Sequence, residues 1–317
     1  MLWLIVFICV VIVILLFILG FSFFAYYLVF FVPTKHKEDV YAIPSGEQYL
    51  KDRDTMLALI KEIDSLPYER VYIKAKDGIK LSGRYYHVKD DAPLQIQFPG
   101  YKGSSIRDFC GGNKLARDLG FNILLVDQRA HGMSKGHTIT FGIKERYDCL
   151  SWIEYALERF GNDVSIYLAG VSMGGATVLM ASQFNLPKNV HGIVADCPFT
   201  TPPDVIKKVC KDMKYNPKIM YPFIYLGALL FGHFKLDSAN SAEAVKYTQI
   251  PILLIHGEDD NIVPCEMSKE IKSNCNGYSE LHTFPNAGHG ISYIVDNKRY
   301  TQVATSFLEH CKNNNIE

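Results

Sequence analysis

VSIYLAGVSMGGATVLMASQF, residues 164–184, is the stretch that decides the fold. It opens on an apolar run, passes through Gly170-Val171-Ser172-Met173-Gly174, and closes on residues of helical composition. This is G-x-S-x-G in the strand, turn and helix context that gives the pattern its meaning. The glycines have a steric reason: the turn is so tight that a side chain at either position would collide with neighbouring backbone. Ser172 then sits at the apex, with its hydroxyl exposed at a helix N-terminus. A serine hydroxyl is a poor nucleophile alone, so it needs a base, and the base needs a partner that fixes its tautomer.

Working outward, the same theme of a short apolar run, a polar or Gly-rich loop and a helical stretch repeats along the chain. The runs are LQIQF (94–98), NILLVD (122–127), VSIYLAG (164–170), VHGIVAD (190–196), IPILLIHG (250–257) and ELHTF (280–284). Most lack alternation, as parallel strands buried on both faces do. Helical segments lie between them, among them ERYDCLSWIEYALERF (145–160) and a C-terminal one from Asn297 to His310. Upstream, ERVYIKAKDGIKLSGRYYHV (69–88) reads as two strands around an Asp77-Gly78 hairpin turn. The expected class is therefore α/β, a mostly parallel doubly wound sheet with its site at the carboxyl ends of the strands.

Two later loops fall at such ends. His256-Gly257-Glu258-Asp259-Asp260-Asn261-Ile262-Val263-Pro264 follows one strand, and Asn286-Ala287-Gly288-His289-Gly290 follows the next. Together GVSMGG, HGEDDNIVP and NAGHG resemble the α/β-hydrolase superfamily, in particular its serine aminopeptidase-like and monoglyceride-lipase-like branch. The resemblance runs from about Glu69 to the C-terminus. It implies Ser172 as nucleophile, Asp260 as acid through a pattern like H-G-x-x-D-x-x-V-P, and His289 as base. Asp259, adjacent, and Asp196, one strand earlier, are the alternative acids.

The branch also implies an oxyanion hole of two backbone N–H groups, those of Met173 and Tyr101. The Tyr101 loop, Phe98-Pro99-Gly100-Tyr101-Lys102-Gly103-Ser104, has Pro99 where similar enzymes have histidine, so any support that histidine gave is lost. Asp127-Gln128-Arg129-Ala130-His131-Gly132-Met133-Ser134 resembles a D-x-R-x-H-G-x-S turn of the branch, for which a structural role is expected. His131 precedes the nucleophile, against the usual order of the fold, and His256 reads as a packing residue. No group of His, Cys, Asp or Glu has the spacing of a metal site and no phosphate-binding loop is present, so a mechanism without metal or cofactor is expected.

Residues 1–32 contain no Lys, Arg, Asp or Glu and are dense in Ile, Val, Leu and Phe. They read as one transmembrane helix; a cleaved secretory signal would have a basic start, a shorter apolar core and a small-residue cleavage site. Tyr26 and Tyr27 suit the interfacial aromatic belt. Lys35 and Lys37, although followed by Glu38 and Asp39, point the remainder of the chain toward the cytoplasm. Eight cysteines without any ordered spacing point the same way.

Residues 33–66 read as a connector with an amphipathic helix, and 67–317 as the hydrolase domain. An interval at about 199–248 is too long for a simple crossover and contains YPFIYLGALLFGHF (221–234). It reads as a helical lid over the site, or else as a core helix or second membrane contact; at 14 residues it is too short to span. Charge is balanced, 33 basic against 33 acidic residues, so no global field draws the chain to nucleic acid. The expected reaction is hydrolysis of an acyl or lipid-like ester through an acyl-enzyme. A peptidase or amidase, an acyltransferase and a non-catalytic membrane-tethered binding module are the other readings, and the sequence leaves oligomeric state open.

Overall fold

The computed structural model describes residues 1–33, 41–44 and 46–313. The four charged residues Lys35, Lys37, Glu38 and Asp39, on which the expected orientation rests, lie outside the described residues. Eight strands form one sheet: β1 (Glu69–Lys74), β2 (Lys80–Tyr86), β3 (Leu94–Phe98), β4 (Asn122–Asp127), β5 (Ile166–Val171), β6 (Val190–Asp196), β7 (Ile252–Gly257) and β8 (Ser279–Phe284). Their spatial order is β1-β2-β4-β3-β5-β6-β7-β8. β1 and β2 pair antiparallel about the Asp77-Gly78 turn, β2 pairs antiparallel with β4, and all later pairs are parallel. The expected doubly wound, mostly parallel sheet is present. β5 and β7 each start two residues later than their apolar runs, because Val164-Ser165 and Ile250-Pro251 are still loop.

The helices, in chain order, are α1 (Leu2–Val29), α2 (Glu47–Leu50), α3 (Arg53–Ser65), α4 (Ser105–Asp108), α5 (Cys110–Asp118), α6 (Glu145–Phe160) and α7 (Met173–Ala181). They continue with α8 (Pro202–Asp212), α9 (Pro217–Leu230), α10 (Ser241–Ala244), α11 (Cys265–Ser273), α12 (Ser292–Val295) and α13 (Asn297–Asn313). Central strands are largely apolar on both faces because each face is covered, and where β3 carries Gln95 and Gln97 the two side chains bond each other at 2.6 Å. Leu94, Ile96, Leu124, Leu168 and Ile193 pack with Trp152 of α6 on one side. Ile123, Leu125, Tyr167, Leu253 and Phe307 pack on the other. The connector helix α3 joins this second layer through Ile60 and Ile63, both fully buried near Phe109 and Tyr86.

α1 has 28 residues, about 42 Å at 1.5 Å per residue, and is long and apolar enough to cross a membrane. A hydrocarbon core of about 30 Å uses about twenty of them. The remaining turns dock on α9. Phe21 meets Phe223 edge-on with centroids 4.8 Å apart, Phe23 meets Phe231 at 5.1 Å, and beyond the helix end Phe30 meets Phe234 at 5.2 Å. Because the pairs rise together in number, the two helices run parallel. Gly227 permits the approach: a Cβ there would overlap the Ser22 carbonyl. The segment after α1 then adds to the domain edge, with Val32 N–H donating to the His137 carbonyl and Ile139 N–H to that of Phe30.

Candidate active site

The turn after β5 places Ser172 at φ 55° and ψ −117°, the left-handed side of the map that side chains avoid. Neighbouring backbone holds it there. Ser172 N–H donates to the Asp196 carbonyl at 2.8 Å. Gly170 and Gly174 are required because a Cβ on the first would overlap Gly174 backbone and one on the second the Phe98 carbonyl. The elbow thus packs directly on the loop after β3, and a Cβ on Gly100 would lie 3.4 Å from that of Ser172.

The loops after β7 and β8 bring two further groups to the serine. His289 Nε2 is 2.8 Å from Ser172 Oγ, and its Nδ1 is 2.6 Å from Asp260 Oδ2. A carboxylate can only accept, so Nδ1 carries the proton and Nε2 presents its lone pair to the hydroxyl. Asp260 is held in turn: its Oδ1 accepts the N–H groups of Ile262 and Val263, both at 2.8 Å. Burial alone would raise the Asp260 pKa, but His289, His256 and the Val263 N–H outweigh it and hold the carboxyl well below the usual range.

His256, fully buried, donates Nε2–H to the Val263 carbonyl at 2.9 Å and accepts at Nδ1 from Ser268 at 2.7 Å, so it braces the acid loop. Neither alternative acid is hydrogen-bonded to His289 among the described residues. Asp259 is exposed, and Asp196 accepts from Tyr300 at 3.2 Å with its carboxyl pushed up to about 6, chiefly by burial.

In the loop after β3 three consecutive N–H groups differ in fate. Gly100 N–H donates to Asp108 Oδ2 at 2.8 Å and Lys102 N–H to His131 Nε2 at 3.0 Å. Between them, the Tyr101 N–H has no protein acceptor among the described residues. Pro99 does not leave the loop unsupported, since its carbonyl accepts from Gln128 at 2.6 Å. The D-x-R-x-H-G-x-S turn therefore supplies two of the three braces. The rest of that turn is structural: Arg129 forks onto Asp148 at 2.7 and 2.6 Å and reaches Asp77 at 2.8 Å, and Ser134 donates to the Asp127 carbonyl at 2.5 Å.

A cavity of about 260 Å³ opens beside Ser172 and His289. Its walls come from the connector (Pro44, Tyr49, Met56) and from helices α5, α12 and α13; residues 199–248 contribute none of them. The interval at 199–248 packs with α1 around Phe141, Met173 and Phe199, with Tyr101 packed against the same cluster. Sequence reasoning had no signal for the connector's part. Gln48 Oε1 accepts the His289 backbone N–H at 3.1 Å across a separation of 241 residues. Cys197 also lies close, its Sγ grouped with Asp260 and His289 so that their ligand atoms are within 4.8 Å of one another. Burial raises its thiol pKa well above the ordinary value, which disfavours the thiolate a metal would need, and the other two are already paired with each other.

Two family models match the chain, one described as alpha/beta hydrolase fold over residues 96–228 and one as TAP-like protein over residues 233–317. Protein bem46 of Schizosaccharomyces pombe is 23% identical over 251 residues, covering 77% of each chain. The uncharacterized protein YqkD of Bacillus subtilis is 24% identical over 194 residues, 61% of this chain and 64% of that one. The lysophosphatidylserine lipase ABHD12 of Macaca fascicularis is 27% identical over 169 residues, 50% of this chain and 39% of that one. This chain therefore spans less than two thirds of the bacillar and macaque relatives. Among solved structures, the esterase Pf2001 of Pyrococcus furiosus superposes with a TM-score of 0.65 at 24% identity, covering 78% of this chain and 93% of that one.

Proposed function

Because the chain belongs to the α/β-hydrolase superfamily, we propose that it is a membrane-anchored serine hydrolase cleaving a carboxylic ester of acyl or lipid-like character. The observation that carries this reading is the hydrogen-bonded series Ser172, His289, Asp260, with each bond between 2.6 and 2.8 Å. In the proposed reaction His289 takes the Ser172 proton as Oγ attacks the ester carbonyl. The oxyanion is held by the N–H groups of Tyr101 and Met173, and His289 then protonates the leaving alcohol. Water, deprotonated by the same imidazole, attacks the acyl-enzyme and releases the acid. Asp260 keeps the imidazole in the working tautomer and stabilises its cation.

An ester of lipid character is supported by the apolar helix and by the cavity walls, among them Met56, Leu115, Ile294 and Leu308. α9 supports it too: running parallel to α1, its first turn points toward the bilayer that α1 would cross. That tip exposes Met213, Tyr215 and Ile219 among Lys211, Lys214 and Lys218, a combination suited to an anionic membrane face. On this reading residues 1–32 are the anchor, 33–66 the connector and 67–317 the catalytic domain, facing the cytoplasm. Labelling of intact against permeabilised cells with an impermeant serine-directed probe tests sidedness.

A peptidase or amidase of the same fold is the second reading, favoured by the resemblance of HGEDDNIVP (256–264) and NAGHG (286–290) to a serine aminopeptidase-like branch. Ser172→Ala is expected to abolish both hydrolysis of an activated ester and labelling by a fluorophosphonate. Retained labelling would overturn the proposal. A panel of esters of graded chain length beside an aminopeptidase substrate separates the two readings.

A further inference from the structure

An α-helix ends with four carbonyls that have no partner inside the helix, and in or near a bilayer water is a poor substitute. At the end of α1 the Tyr26 carbonyl accepts from Phe30 N–H at 2.9 Å. Two of the others are capped from outside. The Val29 carbonyl accepts the Tyr101 hydroxyl at 2.7 Å, and the Leu28 carbonyl accepts Lys102 Nζ at 3.1 Å. Both donors sit on the loop after β3, one of them on the residue whose own N–H has no protein acceptor among the described residues.

The arrangement is built, since the Tyr101 ring stacks on Phe141 with centroids 4.9 Å apart and Phe141 in turn meets Phe30 at 5.9 Å. A lysine cation at this end also complements the negative pole of the helix dipole. Lys102 is thus fixed twice, by its N–H on His131 and by its ammonium on α1.

We infer that the C-terminal end of the apolar helix is a positioning element for the oxyanion hole, linked to it through the Tyr101 hydroxyl and the Lys102 ammonium. The anchor then does more than tether: acylation requires that its end be docked against the loop. This rests on the assignment of the Tyr101 N–H as an oxyanion donor made above. If the docked end moves away, the buried hydroxyl loses its acceptor and the loop relaxes, taking the N–H off the position that the developing oxyanion will occupy. Removing an oxyanion donor costs about 10²- to 10³-fold, so partial displacement corresponds to about tenfold.

The test uses the full-length protein in nanodiscs. Tyr101→Phe keeps the backbone N–H and the ring stack and removes only the bond to Val29, and Lys102→Met removes the second cap. Each is expected to lower kcat on a soluble short-chain ester, about tenfold for Tyr101→Phe, with KM within twofold and with fluorophosphonate labelling slowed in parallel. Thr138→Val serves as the structural comparison, because it removes the 2.7 Å bond to Tyr26 from the same helix without touching the loop. It is expected to lower Tm while leaving kcat within twofold. Wild-type kcat in Tyr101→Phe, or an equal loss of kcat in Thr138→Val, overturns the inference. Hydrolysis retained in Ser172→Ala overturns the underlying reading instead, so the two failures are distinguishable.

Discussion

His131 Nε2 accepts the backbone N–H of Lys102 at 3.0 Å, while His131 Nδ1 donates to the Arg129 carbonyl at 2.9 Å. The two bonds require the neutral imidazole, because a proton on Nε2 would face a donor with a donor. Burial agrees, lowering the His131 pKa. His131→Ala is expected to reduce kcat at least tenfold through the loop it holds, with a small change in KM. The sign of the pH effect follows: a depressed histidine pKa contributes stability that is complete above the ordinary value of about 6.5 and is lost as pH falls below it. The difference in Tm between wild type and His131→Ala should therefore shrink from pH 8 to pH 5. A constant difference would deny His131 this role.

Asp260 and Asp259 are neighbours in sequence, yet only Asp260 touches His289. Asp260→Asn keeps the shape of the side chain but presents an amide where a carboxylate fixed the tautomer. Loss of kcat by roughly 10³- to 10⁴-fold is expected, against less than twofold for Asp259→Asn. Steady-state kinetics on one activated ester compares them directly, and an equal loss in both variants would mean that the acid has been misassigned.

The legible features were those with a local cause. Strand β4 stood out at the bounds read from its apolar run because a strand buried on both faces has no polar position to interrupt ILLV, and β3 and β6 did so although Gln95, Gln97 and His191 interrupt theirs. The Ser172 turn was legible because its glycines are dictated within five residues. Other features depend on approach from far away. Nothing near Gln48 marks it as the acceptor for His289 N–H, and nothing in FAYYLVF distinguishes a helix end that docks from one that only spans. Pro99 was read as a loss of support for the loop, a local inference. Gln128, His131 and Asp108 supply that support from two other segments.

Asp196 combines full burial, a hydrogen bond from Tyr300 and a second carboxyl oxygen without a partner among the described residues. Its pKa, pushed up to about 6 with burial as the largest cause, lies above that of the unfolded chain. The native state thus favours the protonated acid. The stability this contributes is complete below an ordinary aspartate pKa of about 3.9 and is lost as pH rises through about 6. Asp196→Asn removes the ionisation and keeps the shape. Its Tm relative to wild type is expected to be higher at pH 8 than at pH 5. The opposite slope would show that Asp196 is stabilised as the anion.

The cavity beside Ser172 extends between the sheet and α13, where Ala304 and Leu308 line it and Ala304 is buried. If an acyl chain occupies this space, the small side chain at 304 sets how deep the chain reaches. Ala304→Phe fills the inner end while leaving Ser172, His289 and the oxyanion loop untouched. Preference should then move toward short chains, because methylenes that lose their pocket lose about 1 kcal/mol or more each. The kcat/KM ratio of octanoate to butyrate ester is expected to fall at least tenfold. Labelling by a small fluorophosphonate, which carries no long acyl chain to place against α13, should stay within twofold. An unchanged ratio in a folded variant would direct the acyl chain away from α13 and toward the α1 and α9 side of the serine.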